Sequence, residues 1–484
     1  MTDEQEPNPE QRPRWIRRVL IALGLFIALT IFALWISNEV VGRRGRSKLA
    51  ELEARIEVDD PRWRWEHIDA DRPILTNAEN AVTVMEAVVK AQVRMDSTET
   101  TMPDGKGILD ELPINRLLDA ERKKKLLALL EKQKTAVALA LTVREYPRGR
   151  APVVLTPDVI STLLPRAQDG RDVARLLEWD AERALQDNRP EEVVQRIEAI
   201  LRTGDALRDE PFLIAQLVRV AIRTSAARVT DHLLGLSEPA DPLLARLQAE
   251  FARQRQDNLL LVGLRSERAA FNVLFANLRS GAVPLTHLLM SLGTSSPPGW
   301  ERLGMQAGGW LYGSRLDEDH ASALEWLTRA CDVARLPFPE QPDAWRDYER
   351  DFLEFVRRSR SQLRNLVTVL ILPAQERVAR ATLRDHAYLS TLETALAVER
   401  FRRKQGHWPA TLAELTPTLL KEVPTDPYTR KPLRYHIDAE GCVIYSTGRD
   451  GSDDGGKKLL LRDEPGTDIG VRLWNPAQRR LPAK

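Results

Sequence analysis

A chain of 484 residues is too long for one ordinary domain and suggests two to four units. Its apolar (43%) and charged (29%) fractions are those of a globular protein, and a formal net charge of +1 speaks against a nucleic-acid partner, which calls for a basic excess. Two cysteines, Cys331 and Cys442, exclude a disulfide framework and a Cys-rich zinc module.

The first element is apolar. Val19 to Asn38 carries no charge and is mostly Leu, Ile, Ala and Phe. At about 1.5 Å per residue such a helix spans about 30 Å, the thickness of the hydrocarbon core. Trp15 and Trp35 stand near its ends, where amphipathic rings favour the headgroup level. A cleaved signal peptide would end in a small-x-small site, whereas Ala33-Leu34-Trp35-Ile36 places bulky residues there. The lipid bilayer is therefore the first expected partner. Basic residues flank both ends, with Arg12, Arg14, Arg17 and Arg18 before and Arg43, Arg44, Arg46 and Lys48 after, so charge alone leaves the orientation close to balanced. A short tail before a single span favours an inner (cytoplasmic) membrane protein whose bulk is periplasmic.

Ser47 to Ile56 reads as the same helix leaving the membrane, broken by Asp60-Pro61. Trp63 and Trp65 are expected to pack on the next helix. His67, Asp69 and Asp71 fit turn chemistry better than a cation site. Leu126, Leu127, Leu130, Val137 and Leu141 mark helix up to Pro147, and Lys123 to Lys125 a solvated face.

Val173, Leu176, Leu177, Ala181 and Ala184 form an apolar stripe. After the turn Asp187-Asn188-Arg189-Pro190, Pro190 suits the first helical position and Glu191 and Glu192 the first turn. A third helix, opened by Pro211, is apolar nearly all round except for Gln216, Arg219 and Arg223, and so belongs inside a bundle or stack. The pair around Arg189 to Glu192 weakly resembles a tetratricopeptide-type repeat, which implies a protein-binding surface. Further helices are expected over Asn258–Leu278, His320–Ala334 and Trp345–Leu363, with loops at Gly293–Gly299 and Leu336–Pro342. Asp317-Glu318-Asp319-His320 reads as capping a helix that begins near Ala321. Leu366 to Leu372 is too short to span a bilayer and reads as core.

No His-Glu-x-x-His, Gly-x-x-x-x-Gly-Lys or Gly-x-Ser-x-Gly pattern is present, and no two of the seven histidines lie within ten residues of each other. An interaction protein is therefore the leading expectation. The rival is an enzyme whose site the fold assembles within the helical body.

From Leu383 the character changes. A helix with Tyr388, Leu392, Ala395 and Leu396 ends at Gln405-Gly406, followed by Gly406-His407-Trp408-Pro409 and a short helix with Leu412, Leu415 and Leu419. Then come Val423-Pro424-Thr425-Asp426-Pro427-Tyr428, a strand at Val443–Ser446, and Gly448-Arg449-Asp450-Gly451-Ser452-Asp453-Asp454-Gly455-Gly456. This ordered set resembles the globular domain of type II secretion major pseudopilins. In that family the acidic loop binds calcium, which takes six to eight oxygen ligands. The resemblance makes Asp450, Ser452, Asp453 and Asp454 the candidate ligands, with Asp468 closing the site. One departure is plain. The anchor lies more than 300 residues upstream, and the family's cleavage motif does not precede Val19, so polymerisation into a pseudopilus is not expected.

The expected fold class is thus mainly α: a tail (1–18), a single transmembrane helix (19–38), an α-helical bundle or solenoid-like body (43–380), and a small α+β, pseudopilin-like domain (383–484). A protein partner is expected, and secretion is the process the resemblance suggests.

Overall fold

The computed structural model describes residues 14–110, 112–162, 164–291, 312–362, 364–372, 375–459 and 466–483. The tail before Arg14, the Gly293–Gly299 loop and the side chains of Trp15 and Arg17 lie outside the described residues.

The helices in chain order are α1 (Arg14–Asp59), α2 (Trp65–Ala70), α3 (Ala81–Ala91), α4 (Ser97–Thr100), α5 (Ala120–Lys132), α6 (Lys134–Thr142), α7 (Pro165–Gln186) and α8 (Pro190–Asp205). They continue as α9 (Leu213–Leu236), α10 (Asp241–Arg255), α11 (Leu259–Ser280), α12 (Leu285–Ser291), α13 (Leu316–Arg335), α14 (Gln341–Gln362), α15 (Leu366–Ile371) and α16 (Gln375–Gln405). Three strands follow: β1 (Arg434–Asp438), β2 (Gly441–Ser446) and β3 (Ile469–Trp474). Local chemistry sets several boundaries. Asn80, Asp96, Asp119 and Asn258 accept backbone N–H bonds at the starts of α3, α4, α5 and α11. Pro190 opens α8 after Asn188, which holds the left-handed turn residue (φ 55°) that Asn tolerates.

α1 is unbroken, and its two halves differ. Leu20, Phe26, Leu29 and Phe32 are each more than half exposed, so the first half is bare. Among the described residues α1 is the one helix long and apolar enough to cross a membrane. Beyond it, Gly42, Gly45, Leu49, Leu52 and Ile56 are buried at alternating spacings of three and four, the seam pattern of paired helices. The partner is α13, running parallel. The Ser314 hydroxyl donates to the Asn38 side chain, Lys48 pairs with Glu325 (2.8 Å), and Arg335 reaches Asp60 (3.7 Å). A Cβ at Gly45 would stand 2.9 Å from the Glu318 amide nitrogen, so glycine permits the close approach. Asp60 then locks the end of α1 to α11 through Arg265 (2.7 Å) and Arg268 (2.5 Å).

Two large apolar clusters make the core. One gathers α3, α6 to α10, most of α16 and the sheet, so that Leu177, Leu233 and Leu247 share a core with Leu396, Ile444 and Leu473. The other gathers α11, α13, α14, α15 and the start of α16. α16 therefore threads both. The stripe Gln216, Arg219 and Arg223 is buried in an ion network: Arg219 and Arg223 meet Asp257 at 3.0 and 2.9 Å, and Arg223 reaches Asp385 of α16 at 3.3 Å. Burial, with Arg223 alongside, lowers the Arg219 pKa to about 10.

Several boundaries differ from expectation. α16 begins at Gln375, eight residues before Leu383, and its buried stripe runs back through Thr382, Ala379 and Val378 to that start. α13 begins at Leu316, so Asp317, Glu318 and Asp319 occupy its first turn. Asp319 caps a different helix, accepting from the Val367 (2.9 Å) and Thr368 (3.2 Å) amides of α15. Leu412–Leu415 is a single 3-10 turn, short of the helix expected through Leu419. α15 is core only in part: Val367, Thr368 and Val369 are buried, while Leu366 and Leu370 are exposed. Trp63 is fully buried among Leu52 and Ile56 of α1 and Leu324 of α13, and Trp65 packs on Phe212 just before α9, so both tryptophans pack, but not on the next helix.

Candidate cation site

The sheet is antiparallel in the order β1-β2-β3. Asp438 accepts from the Glu440 and Gly441 amides and closes the β1–β2 turn. Every residue of β2 is buried. Cys442 and Ile444 join the core shared with α16, and the acidic loop covers Val443 and Tyr445 on the other side. Gly456 (φ 63°) makes that cover possible, since a Cβ there would fall 2.8 Å from Val443 Cγ1 and 3.0 Å from Tyr445 Cδ1.

The loop starts at Thr447 and returns to β3 beside Asp468, whose amide donates to the Lys458 carbonyl (3.1 Å). Its five predicted ligands divide into three groups. Asp450 accepts from the Ser452 amide two residues on (3.0 Å) and, across the loop, from the Gly466 amide (3.4 Å), and both Asp450 and Ser452 are exposed. Asp453 accepts from the Tyr445 hydroxyl (2.8 Å) and the Gly455 amide (3.1 Å), and the Tyr445 bond holds its carboxyl below the usual range. Asp454 and Asp468 form the third group. Asp468 is fully buried and accepts from the Gly456 amide (2.8 Å) with one oxygen. Its other oxygen, Oδ1, and Oδ2 of Asp454 are buried with no hydrogen-bond partner. Burial raises the Asp468 pKa, and repulsion from Asp454 and Asp453 adds to it.

Two unpartnered carboxylate oxygens, each under the field of the other group, are what a hard cation would relieve. The donor set fits calcium in kind. Asp454 and Asp468 would supply anionic oxygens of the kind calcium takes. Among the described residues, no group of three or more His, Cys, Asp or Glu is arranged to hold a metal ion. Residues 460–465, between the two halves of the loop, lie outside the description.

A residue that sequence reasoning quoted without assigning a role proves central. Asp426 is 1% exposed and accepts from the Tyr428 amide (2.9 Å), the Ser446 hydroxyl (2.8 Å), and the Thr447 amide (3.2 Å). It fastens the turn at Pro427 to the point where β2 enters the acidic loop. The legible signal was an Asp just before a Pro-aromatic turn, where its side chain bonds a backbone amide two residues on.

The other flagged groups serve packing. Asp71 pairs with Arg62 (2.5 Å) and Asp69 with Arg72 (3.1 Å), with no convergence on His67. His320 stacks on Phe275 and His386 on Phe338, and burial pushes both imidazoles down to about 3, which keeps them neutral. Cys331 and Cys442 are free and buried in different clusters. No protein-family model, curated protein or solved structure matches the chain.

Proposed function

We propose that this protein is a membrane-tethered interaction platform of the cell envelope: one helix in the inner membrane, a helical body on the periplasmic side, and a pseudopilin-like head stabilised by calcium. The carrying observation is the continuity of α1, which leaves its bare half and enters the α13 seam without a break. A body joined to its anchor through a packed seam is held close to the bilayer and fixed in orientation. Such an arrangement suits a protein that presents a surface to partners at the membrane.

The body offers apolar contact points for that role. Ile74 is 92% and Val154 80% exposed, on extended segments tied together by Arg72 to the Ala151 carbonyl (2.9 Å) and Arg150 to the Arg72 carbonyl (2.9 Å). Exposed β-branched residues on a rigid frame can enter a partner's surface at low entropic cost. The motif order at the C-terminus supports the pseudopilin-like head, and the paired orphan oxygens of Asp454 and Asp468 support calcium.

The test is photocrosslinking of the full chain in native membranes, with a photoreactive residue at Ile74 or Val154. A discrete protein adduct of constant mass, recovered again when the identified partner is captured instead, is the expected result. Secretin or pilin subunits in that adduct would tie the platform to secretion. Absence of any protein adduct from both positions would overturn the interaction reading.

A further inference from the structure

α15 raises a question that its core residues do not answer. Leu366 and Leu370 are 36% and 38% exposed and lie four residues apart, on one face of the helix. The chain around them is basic: Arg357, Arg358 and Arg360 are exposed on the last turns of α14, and Arg364 is exposed just before α15. Two exposed leucines on a six-residue helix stand beside four arginines, of which Arg358 pairs with Glu354 and Arg364 reaches Glu318 (3.9 Å), and together they form a small amphipathic unit.

Its position in the fold suggests the occupant. The Leu366 amide donates to the Tyr312 hydroxyl (3.0 Å), which itself bonds Asp319, and the Thr368 hydroxyl donates to Asp319 (2.5 Å). α15 is therefore fastened to the start of α13. That start lies beside the end of the apolar half of α1, through Ser314 and Asn38. Asp319 stands in the first turn of α13, within about 5 Å of its start along the helix axis. The headgroup layer is of similar depth, since about 30 Å of hydrocarbon sits within about 40–45 Å of bilayer. Arg43, Arg44 and Arg46 are exposed on α1 at the same level.

We infer that α15 and its flanking arginines make a second, interfacial contact with the bilayer, Leu366 and Leu370 resting at the acyl boundary and Arg357, Arg358, Arg360 and Arg364 on anionic lipid headgroups. The inference rests on the reading of α1 as a membrane anchor. Continuity with the exit point of α1 and a basic face opposite anionic headgroups argue for lipid over a protein occupant. Together with the α13 seam, this contact would fix how the body leans on the membrane.

The test uses the full chain reconstituted in vesicles of phosphatidylglycerol and phosphatidylcholine, with brominated acyl chains as quencher. Cys331 and Cys442 are buried, so an added surface thiol takes a polarity-sensitive fluorophore selectively. Labels go on Leu370→Cys, on Leu366→Cys as a second reporter, on Phe26→Cys within the span, and on Ile437→Cys at the exposed edge of the sheet. The expected result is a blue-shifted label at 370 and 366, quenched about half as strongly as at 26, as befits the acyl boundary rather than the core. The label at 437 should be unquenched. Quenching at 370 should fall when phosphatidylglycerol is omitted and in the Arg360→Glu/Arg364→Glu variant. Quenching at 26 without quenching at 370 or 366 overturns the inference and leaves the anchor standing. Absence of quenching at 26 overturns the anchor reading itself. A blue shift that follows protein concentration rather than bromine assigns the face to a second copy of the chain and also overturns the lipid contact, and quenching indifferent to anionic lipid overturns the role of the arginines.

Discussion

Replacing Asp468 by Asn separates the cation reading from a purely structural one, because the two demand opposite signs. Asp468 is buried, one of its oxygens is unpartnered, and Asp454 repels it. Its pKa is raised on folding, so its contribution to stability is complete below the ordinary carboxylate pKa of about 3.9 and is lost as pH rises through the folded value. In chelator at pH 7, Asp468→Asn should therefore melt no lower than the parent, since the amide oxygen still accepts from Gly456. Calcium should reverse the order. A ligand at a hundredfold its Kd adds about 2.7 kcal/mol to the folded state. With an unfolding entropy of about 2.1 cal/mol/K per residue, a chain of 484 residues shifts its Tm by about 1 °C per kcal/mol, so the parent should rise by about 3 °C. Asp468→Asn and Asp454→Asn should lose that rise, and Asp450→Asn, whose exposed carboxylate already accepts from two amides, should keep most of it. Calorimetry of the full chain in detergent, with calcium and then with chelator, is the assay. A variant at Asp468 that melts lower in chelator yet gains as much from calcium would refute the reasoning.

Three further outcomes are expected. Glu399 and Arg479 form a buried bidentate pair at 2.9 and 2.8 Å, so Glu399→Gln should cost about 3–5 kcal/mol in chemical denaturation, while a loss below about 1 kcal/mol would show that the pair is dispensable. Burial pushes the Asp231 carboxyl up to about 7, and one of its oxygens has no partner, so its contribution is full below about pH 4 and is lost as pH rises through 7; Asp231→Asn should match the parent near pH 4 and exceed it at pH 8 by no more than about 4 kcal/mol, and equal stability at both pH values would contradict this. Gly45→Leu should wedge α1 away from α13, costing about 1–3 kcal/mol and exposing the chain between Asn38 and Asp60 to protease, whereas an unchanged digestion pattern would argue against the seam.

The legible parts of the chain were those where one local rule had no competitor. Twenty uncharged residues could be little other than a long apolar helix, and Pro190 with two glutamates behind it marked a helix start that the structure keeps. Where a residue's partner lay far along the chain, local rules failed. Asp319 reads as a cap for its own helix and instead caps α15, about fifty residues on. The start of α16 before Leu383 is hard to read because its buried face there is made of the small or polar Ala379 and Thr382 beside Val378, a weaker apolar signal than the leucines further on. Among the candidate ligands, the resemblance treated Asp450, Ser452, Asp453 and Asp454 alike, and only the fold reveals that Tyr445 occupies Asp453 while one oxygen of Asp454 is buried without a partner.

The charged residues of α16 explain why body and head share a core. By composition the helix looks like a surface element, with Glu393, Glu399, Arg400 and Arg402 among its later turns. Each of these instead meets the body or the C-terminal segment: Glu393 pairs with Arg255 (2.8 Å), Arg400 with Asp241 (2.8 Å), Arg402 with Glu238 (2.8 Å), and Glu399 with Arg479. The segment after β3 returns to the body as well. Arg480 donates to the Leu185 and Gln186 carbonyls, and Leu481 exchanges backbone bonds with Asn115 and Leu117. The buried pair Glu399–Arg479 adds little net stability over apolar contacts, yet a wrong register would strand both charges without a partner, and that penalty favours one alignment of head on body. A cation held between Asp454 and Asp468 would then stabilise a sheet that packs on α16, and α16 in turn packs on α9 and α10. The acidic loop is thereby coupled to the helical body through shared packing, which is why the whole chain is the right object for a calcium titration.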